Sequence, residues 1–152
     1  MTNIGDNLPS VIVKNSEGMP VDLAALPAPF VLYYYPKADT PGCTSEGKDF
    51  SELKSAFDSV GVAVYGISKD KPAKLAKFAA KYDFSVTLLS DEESDATEQM
   101  GVWVEKSMYG KQYMGIERAT FLVGKDGKVA DVWHKVKVKG HAEAVLAAAR
   151  AL

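Results

Sequence analysis

The sequence predicts an α/β domain: a β-hairpin, then strands alternating with helices, then a second strand pair and a closing helix. Three observations predict it. The short β-favouring apolar runs Phe30–Tyr35, Gly61–Ser68 and Val86–Leu89 lack polar alternation, the mark of strands buried on both faces. Each leads into a segment with helical character, which is how parallel strands are connected. Turn signals containing glycine, Asn15–Gly18 and Gly124–Gly127, divide strand-like segments near the two ends. A chain of 152 residues, 47% hydrophobic and 25% charged, is enough for one core, so a single domain over 1–152 is expected.

The elements follow in order. SVIVKNSEGMPVDL alternates around Asn15-Ser16-Glu17-Gly18, predicting a hairpin from about Val11 to Leu23. Phe30–Tyr35, set between prolines, is a core strand, and Phe50, Leu53 and Phe57 then recur at helical spacing. Gly61–Ser68 is a second strand. Lys71-Pro72 opens a helix with the stripe Leu75, Phe78, Ala79 and Tyr82, proline suiting a first turn whose N–H groups have no internal acceptor. Val86–Leu89 is a third strand, and acidic SDEESDA leads into a brief helix ending near Met100-Gly101. Arg118–Val123 and Val129–Val136 flank Gly124-Lys-Asp-Gly127 as an antiparallel pair. HAEAVLAAARAL, from His141, closes the chain as a helix with Val145, Leu146 and Leu152 on one face. No repeat, low-complexity tract or linker interrupts the pattern. A hairpin, βαβα and ββα is the order of a thioredoxin-like core with an N-terminal β-hairpin addition, preferred here to a flavodoxin-like arrangement.

The 18 basic and 20 acidic residues leave a formal charge of -2 with no basic block, which argues against nucleic acid or an anionic membrane surface as partner. No apolar run approaches the ~20 residues of a membrane span. MTNIGDNLPS has neither the basic start nor the apolar stretch of an export signal, so a cytoplasmic location is expected. The single cysteine, Cys43, cannot form an internal disulfide and suits a reducing compartment. No cofactor or metal is expected, because His134 and His141 with one cysteine offer no zinc-ligand spacing. Both histidines are expected at the surface or as caps. Trp103 and Tyr33, Tyr34 and Tyr35 are expected in the core, with no support for a rim role of Trp103.

Cys43 lies in PKADTPGCTSEGKDF, on a loop from the carboxyl end of a core strand into a helix. Such loops collect exposed backbone N–H groups. With Thr40 as cap and Pro41 in the first turn, the sulfur sits near the positive end of the helix dipole, where a thiolate is favoured. Gly42 removes side-chain bulk, so a small electrophile can approach the backbone amides. On spacing alone, a reactive thiol and a small buried hydrophobe remain equal readings of a lone cysteine.

The surrounding residues break the tie. Pro36-Lys-Ala-Asp-Thr40-Pro-Gly-Cys43-Thr resembles the P-x-x-x-T-x-x-C signature of peroxiredoxins, and its PKA…TPGCT form is similar to the bacterioferritin comigratory, or Q-type, subfamily. Further segments resemble that subfamily in order: Gly5–Ser10, Met100–Trp103, Met108–Phe121 and Val136–Glu143. The resemblance implies a peroxiredoxin-type fold and a thiol-dependent peroxidase reducing hydrogen peroxide and organic hydroperoxides through a Cys43 sulfenic acid. It implies that Thr40 bonds sulfur and peroxide, that Arg118 steadies the thiolate and the peroxide oxygens, that the Gly42 and Cys43 amides complete the cradle, and that Pro36 shields the sulfur. Without that context Arg118 reads as a surface charge. Glu46 either joins a polar network at Cys43 or merely complements the helix dipole.

One departure matters. Many Q-type members carry a resolving cysteine five residues after the first; here that position is Lys48, and no other cysteine exists in the chain. A one-cysteine cycle is therefore expected, with the sulfenic acid reduced by an external thiol such as thioredoxin, glutaredoxin or glutathione. A Cys43–Cys43 disulfide between chains, and an altered resolving position at Lys48, stay open. Q-type relatives are often monomers and sometimes dimers, so a monomer is expected, with a dimer as the alternative. A thioredoxin-type dithiol enzyme is excluded because Thr40 stands where the first cysteine of C-x-x-C would be. The remaining alternative is a non-catalytic binding or chaperone module on the same fold.

Overall fold

The computed structural model describes residues 2–152; Met1, the start of the segment read against an export signal, lies outside them. Nine strands and five α-helices follow in the order β1 (Ile12–Asn15), β2 (Pro20–Asp22), β3 (Phe30–Tyr34), α1 (Pro41–Glu52), α2 (Lys54–Ser59), β4 (Ala63–Ser68), α3 (Pro72–Tyr82), β5 (Thr87–Ser90), α4 (Ala96–Gln99), β6 (Trp103–Met108), β7 (Lys111–Ile116), β8 (Ala119–Val123), β9 (Val129–Trp133) and α5 (His141–Arg150). Seven strands form one sheet in the order β2-β1-β5-β4-β3-β8-β9. β3, β4 and β5 are parallel, as their unbroken apolar runs require, whereas β1, β8 and β9 join antiparallel.

β3 lies inside the sheet, between β4 and β8, with all five residues buried. Its alternation divides the core in two. Val31 and Tyr33, with Tyr35 beyond the strand, pack in a cluster with Phe50, Phe57, Leu75, Phe78 and Val145 from α1, α2, α3 and α5. Phe30, Leu32 and Tyr34 face Val13, Ala96, Met100 and Ile116 on the opposite side. Phe50 stacks on Tyr33 with ring centroids 4.6 Å apart and is fully buried, which ties the Cys43 helix to β3. Truncation to alanine there would cost about 3–5 kcal/mol.

The predicted stripe Phe50, Leu53 and Phe57 does not lie on one helix. At Leu53, with ψ near 4°, the chain leaves helical geometry and restarts as α2. α3 begins at Pro72 as expected. It ends at Asp83 in the left-handed conformation, with the Phe84 N–H closing the turn on Ala79 O at 2.9 Å. The hairpin β6–β7 was not anticipated. Its two-residue turn, Tyr109-Gly110, has positive φ at both positions, the geometry that matches strand twist. The ribbon stands apart from the main sheet and leads directly into Arg118.

Candidate active site

The loop from β3 to α1 is anchored on both sides. The Ala38 N–H donates to Asp70 Oδ2 at 2.7 Å, and Asp70 also accepts from Ser68 Oγ at the end of β4. Asp39, held at positive φ, accepts from the Tyr82 hydroxyl at 2.6 Å and from Lys81, both at the end of α3. These contacts set the angle at which the chain enters α1 and so where Cys43 sits, two residues after Pro41.

Thr40 is the N-cap of α1, but its side chain does not cap: the hydroxyl donates to Lys37 O at 2.8 Å. The expected hydroxyl-to-sulfur bond is thus replaced by one that closes the loop on itself, while the Thr40 oxygen keeps acceptor capacity. Pro36 is half-buried on the same loop. Cys43 is a free thiol, 2% exposed, in the first turn, where backbone N–H groups have no helical acceptor.

Seventy-five positions away, Arg118 reaches the same point. It follows β7 and precedes β8, its backbone fixed by the Val136 N–H on Arg118 O at 2.9 Å. Nη2 donates to Cys43 Sγ at 3.4 Å, and Nη1 donates to Glu46 Oε1 at 2.8 Å. Burial opposes the guanidinium charge, but Glu46 and Cys43 more than offset it, and its pKa rises. Gly42 lies against this group: a Cβ there would come within 3.1 Å of Arg118 Nη2. The bulk absent at Gly42 therefore admits the guanidinium, where the sequence had suggested room for an electrophile.

Glu46, left undecided by the sequence, is 1% exposed and belongs to the network. Burial pushes its carboxyl up to about 7 against the pull of Arg118. Oε2 has no hydrogen-bond partner among the described residues. His141 corrects the expectation of a surface or cap role. It is buried, within 2.8 Å of Thr120 Oγ1 through Nε2, and edge-on to Phe50 and Trp133. Burial and then the Arg118 charge push it down to about 4, so it is neutral at pH 7. His134 is half exposed and bonds Glu117 at 2.7 Å, as a surface histidine should.

Beside Pro36 and Thr40 opens a groove of about 470 Å³ reaching the β6–β7 ribbon. Trp103 lines it, half-buried, so this tryptophan does have the rim position that the sequence could not support. Lys106 also lines it and was not singled out from the sequence, because the ribbon that carries it was not recognised. Lys48 is exposed on α1 with its ammonium 5.1 Å from the centre of the Tyr82 ring. Among the described residues no group of three or more potential ligands is placed to hold a metal ion, and no helix is long and apolar enough to cross a membrane.

Comparison with known proteins identifies the family. The AhpC/TSA family profile matches residues 4–132. Peroxiredoxin Bcp of Xanthomonas campestris is 49% identical over 121 residues, covering 80% of this chain and 76% of its own. Peroxiredoxin Bcp of Escherichia coli K12 is 43% identical over 143 residues, covering 93% and 92%. Among solved structures, the Xanthomonas campestris bacterioferritin comigratory protein, described for its alkyl peroxide reduction activity, superposes with a TM-score of 0.89 at 42% identity over 98% of each chain. Peroxidoxin BcpB from Mycobacterium tuberculosis gives 0.87 at 36% identity, over 100% of this chain and 99% of its own. The thioredoxin-like fold of these proteins is thus the fold of this one, and the chain belongs to the AhpC/TSA family as a thiol-dependent peroxidase of the Bcp, or Q-type, peroxiredoxins with a single cysteine.

Proposed function

We propose that Cys43 is the peroxide-reducing nucleophile and that it works by a one-cysteine cycle. The thiolate attacks the distal oxygen of ROOH along the O–O axis. The S–O bond forms, the O–O bond breaks, the hydroxyl passes to sulfur as sulfenic acid, and RO⁻ takes up a proton to leave as alcohol or water. Negative charge moves from sulfur to the departing oxygen, so the most useful group is a fixed cation beside both. Arg118 is that cation, and its 3.4 Å contact with Cys43 Sγ is the observation that carries the assignment. The Gly42 and Cys43 amides receive the peroxide, the Thr40 oxygen accepts its proton-bearing end, and Pro36 keeps water from the sulfur.

With no second thiol in the chain, the sulfenic acid condenses with an external thiol, releasing water, and a second thiol frees the Cys43 thiolate. Thioredoxin, glutaredoxin and glutathione are the candidate donors, all thiols of a reducing cytoplasm, where the protein would act as a monomer or, alternatively, a dimer. Because Cys43 is 2% exposed, a donor reaches it only when the Pro36–Thr40 loop or the first turn of α1 moves. Stopped-flow peroxide reduction by wild type, Cys43→Ser and Arg118→Ala with each donor tests the cycle. Complete loss in the first variant and a fall of about 10²- to 10³-fold in the second are expected. Rapid peroxide consumption that no thiol sustains would overturn the recycling, and an unchanged Arg118→Ala rate would overturn the role of the guanidinium.

A further inference from the structure

The side of α3 that meets the Cys43 loop is basic. Lys74, Lys77 and Lys81 recur at i, i+3 and i+7 on one side of this helix, Lys71 precedes its first turn, and Pro72–Tyr82 includes no acidic residue. All four lysines are exposed. Two of them are tied to the loop. Lys81 Nζ lies 2.9 Å from Asp39 Oδ2, and Lys74 Nζ lies 3.3 Å from Asp70 Oδ1, whose other oxygen holds the Ala38 N–H. The Asp39 carboxyl is held below its ordinary range by the Tyr82 hydroxyl and Lys81, with Lys74 adding to the pull. This side of α3 is therefore continuous with the loop beside Cys43.

Lys71 and Lys77 pair with no carboxylate among the described residues, and neither does Lys37 on the loop itself. In a chain of formal charge -2, unneutralised positive charge is thus concentrated beside the one thiol that must meet an outside molecule. Such a concentration raises the encounter rate of an anionic partner. The extent of the surface favours a large one. From Lys71 to Lys81 the helix rises about 15 Å, at ~1.5 Å per residue. A tripeptide thiol spans at most about 11 Å when extended, and with its sulfur on Cys43 it leaves the far end of the stripe unused. A protein surface with several carboxylates around its thiol reaches the whole of it.

We propose that the Lys71–Lys81 side of α3, extended by Lys37, is the docking surface for a protein thiol donor that carries carboxylates around its reactive cysteine. The assignment rests on recycling of Cys43 by an external thiol. In the docked pair the donor sulfur attacks the Cys43 sulfenic acid: the S–S bond forms, the S–O bond breaks, and the hydroxyl leaves as water with the proton of the donor thiol. Lys71 and Lys77 touch neither the peroxide nor the sulfur. They set which donor arrives and how fast.

The probes are two synthetic peptides of equal length, each with a single cysteine, flanked by aspartates in one and by asparagines in the other. Each is mixed with protein whose Cys43 has been converted to sulfenic acid by hydrogen peroxide, and the ratio of the two second-order rate constants is taken within one protein, so that a loss of folded or oxidised protein cancels. Wild type is expected to prefer the aspartate peptide about tenfold at low salt. The preference should vanish near 1 M salt, where charges are screened beyond about 3 Å. Lys71→Glu combined with Lys77→Glu should bring the ratio to one or below, and should slow glutathione far less than the aspartate peptide. An aspartate peptide with serine in place of cysteine should compete with the aspartate donor on wild type. A wild-type ratio near one, a preference that survives the double variant, glutathione slowed as much as the aspartate peptide, or an absence of competition would overturn the proposal. A sulfenic acid that none of these thiols reduces would instead overturn the recycling on which it rests.

Discussion

Glu46→Gln should change how the stability of this protein depends on pH, and the size of the change follows from where the carboxyl sits. Glu46 is 1% exposed, receives one bond from Arg118 and leaves Oε2 without a partner. Its folded value of about 7 lies above the ordinary 4.5. Between those values the folded chain holds a proton that the unfolded chain releases, so this group's contribution to stability falls as pH rises through the window. At about 1.4 kcal/mol per pH unit the interval corresponds to about 3 kcal/mol. His141 acts in the opposite sense: its folded value of about 4 lies below the ordinary 6.5, so the unfolded chain takes up a proton that the folded chain refuses. Its contribution is lost as pH falls from 6.5 towards 4. The two slopes cancel between about pH 4.5 and 6.5, and wild type hides both. The amide of Glu46→Gln keeps an oxygen for Arg118 Nη1 and removes the charge. Urea unfolding of variant and wild type at matched pH values should therefore show the difference moving in favour of the variant by about 3 kcal/mol from pH 4.5 to 8. A difference that stays constant over that range would refute the burial argument for Glu46.

Three further substitutions separate geometry from stability. Gly42→Ala places a methyl 3.1 Å from Arg118 Nη2, so the rate of peroxide reduction should fall about tenfold while urea stability holds or rises by up to about 1 kcal/mol; equal rates would mean that the guanidinium position is not critical. Gly47→Ala drives a methyl into the Phe84 ring and should lose about 1–3 kcal/mol of stability in the same assay, despite alanine's better helix propensity. Lys48→Cys puts a thiol five residues along α1, about 7.5 Å in helical rise from Cys43 and beyond the ~7 Å reach of a disulfide. Peroxide should then form the bridge only with loss of far-UV helical signal, and a bridge formed with α1 intact would contradict the packing of that helix.

The legible parts of this protein are those where one local rule decides. β3, β4 and β5 announce themselves because a strand buried on both faces has nowhere to place a polar residue. Pro41 and Pro72 mark helix starts because a first-turn N–H is dispensable. The pairing of Cys43 with Arg118 was legible only through resemblance, since nothing local links residues 75 positions apart. The β6–β7 ribbon was missed because its residues are mostly exposed and carry no apolar alternation, and because its turn is Tyr-Gly where Asn-Gly or Asp-Gly is the usual signal. Lys106 was lost with it. The break at Leu53 has no proline or glycine to betray it. Glu46 and His141 were undecided or misplaced for a common reason: burial of a titratable side chain near the start of a helix depends on what packs over it, here Arg118 for one and Phe50 and Trp133 for the other.

The central claim is that Cys43 alone accepts the peroxide oxygen. Intact-mass and peptide analysis of the pure protein after one equivalent of hydrogen peroxide, without added thiol and with a sulfenic-acid trapping reagent present, measures it most directly. The account predicts one trapped sulfenic acid per chain, on the peptide that holds Cys43, abolished in Cys43→Ser and reversed by an external thiol when the trap is omitted. Oxygen found on the methionines with Cys43 left as a thiol would contradict it.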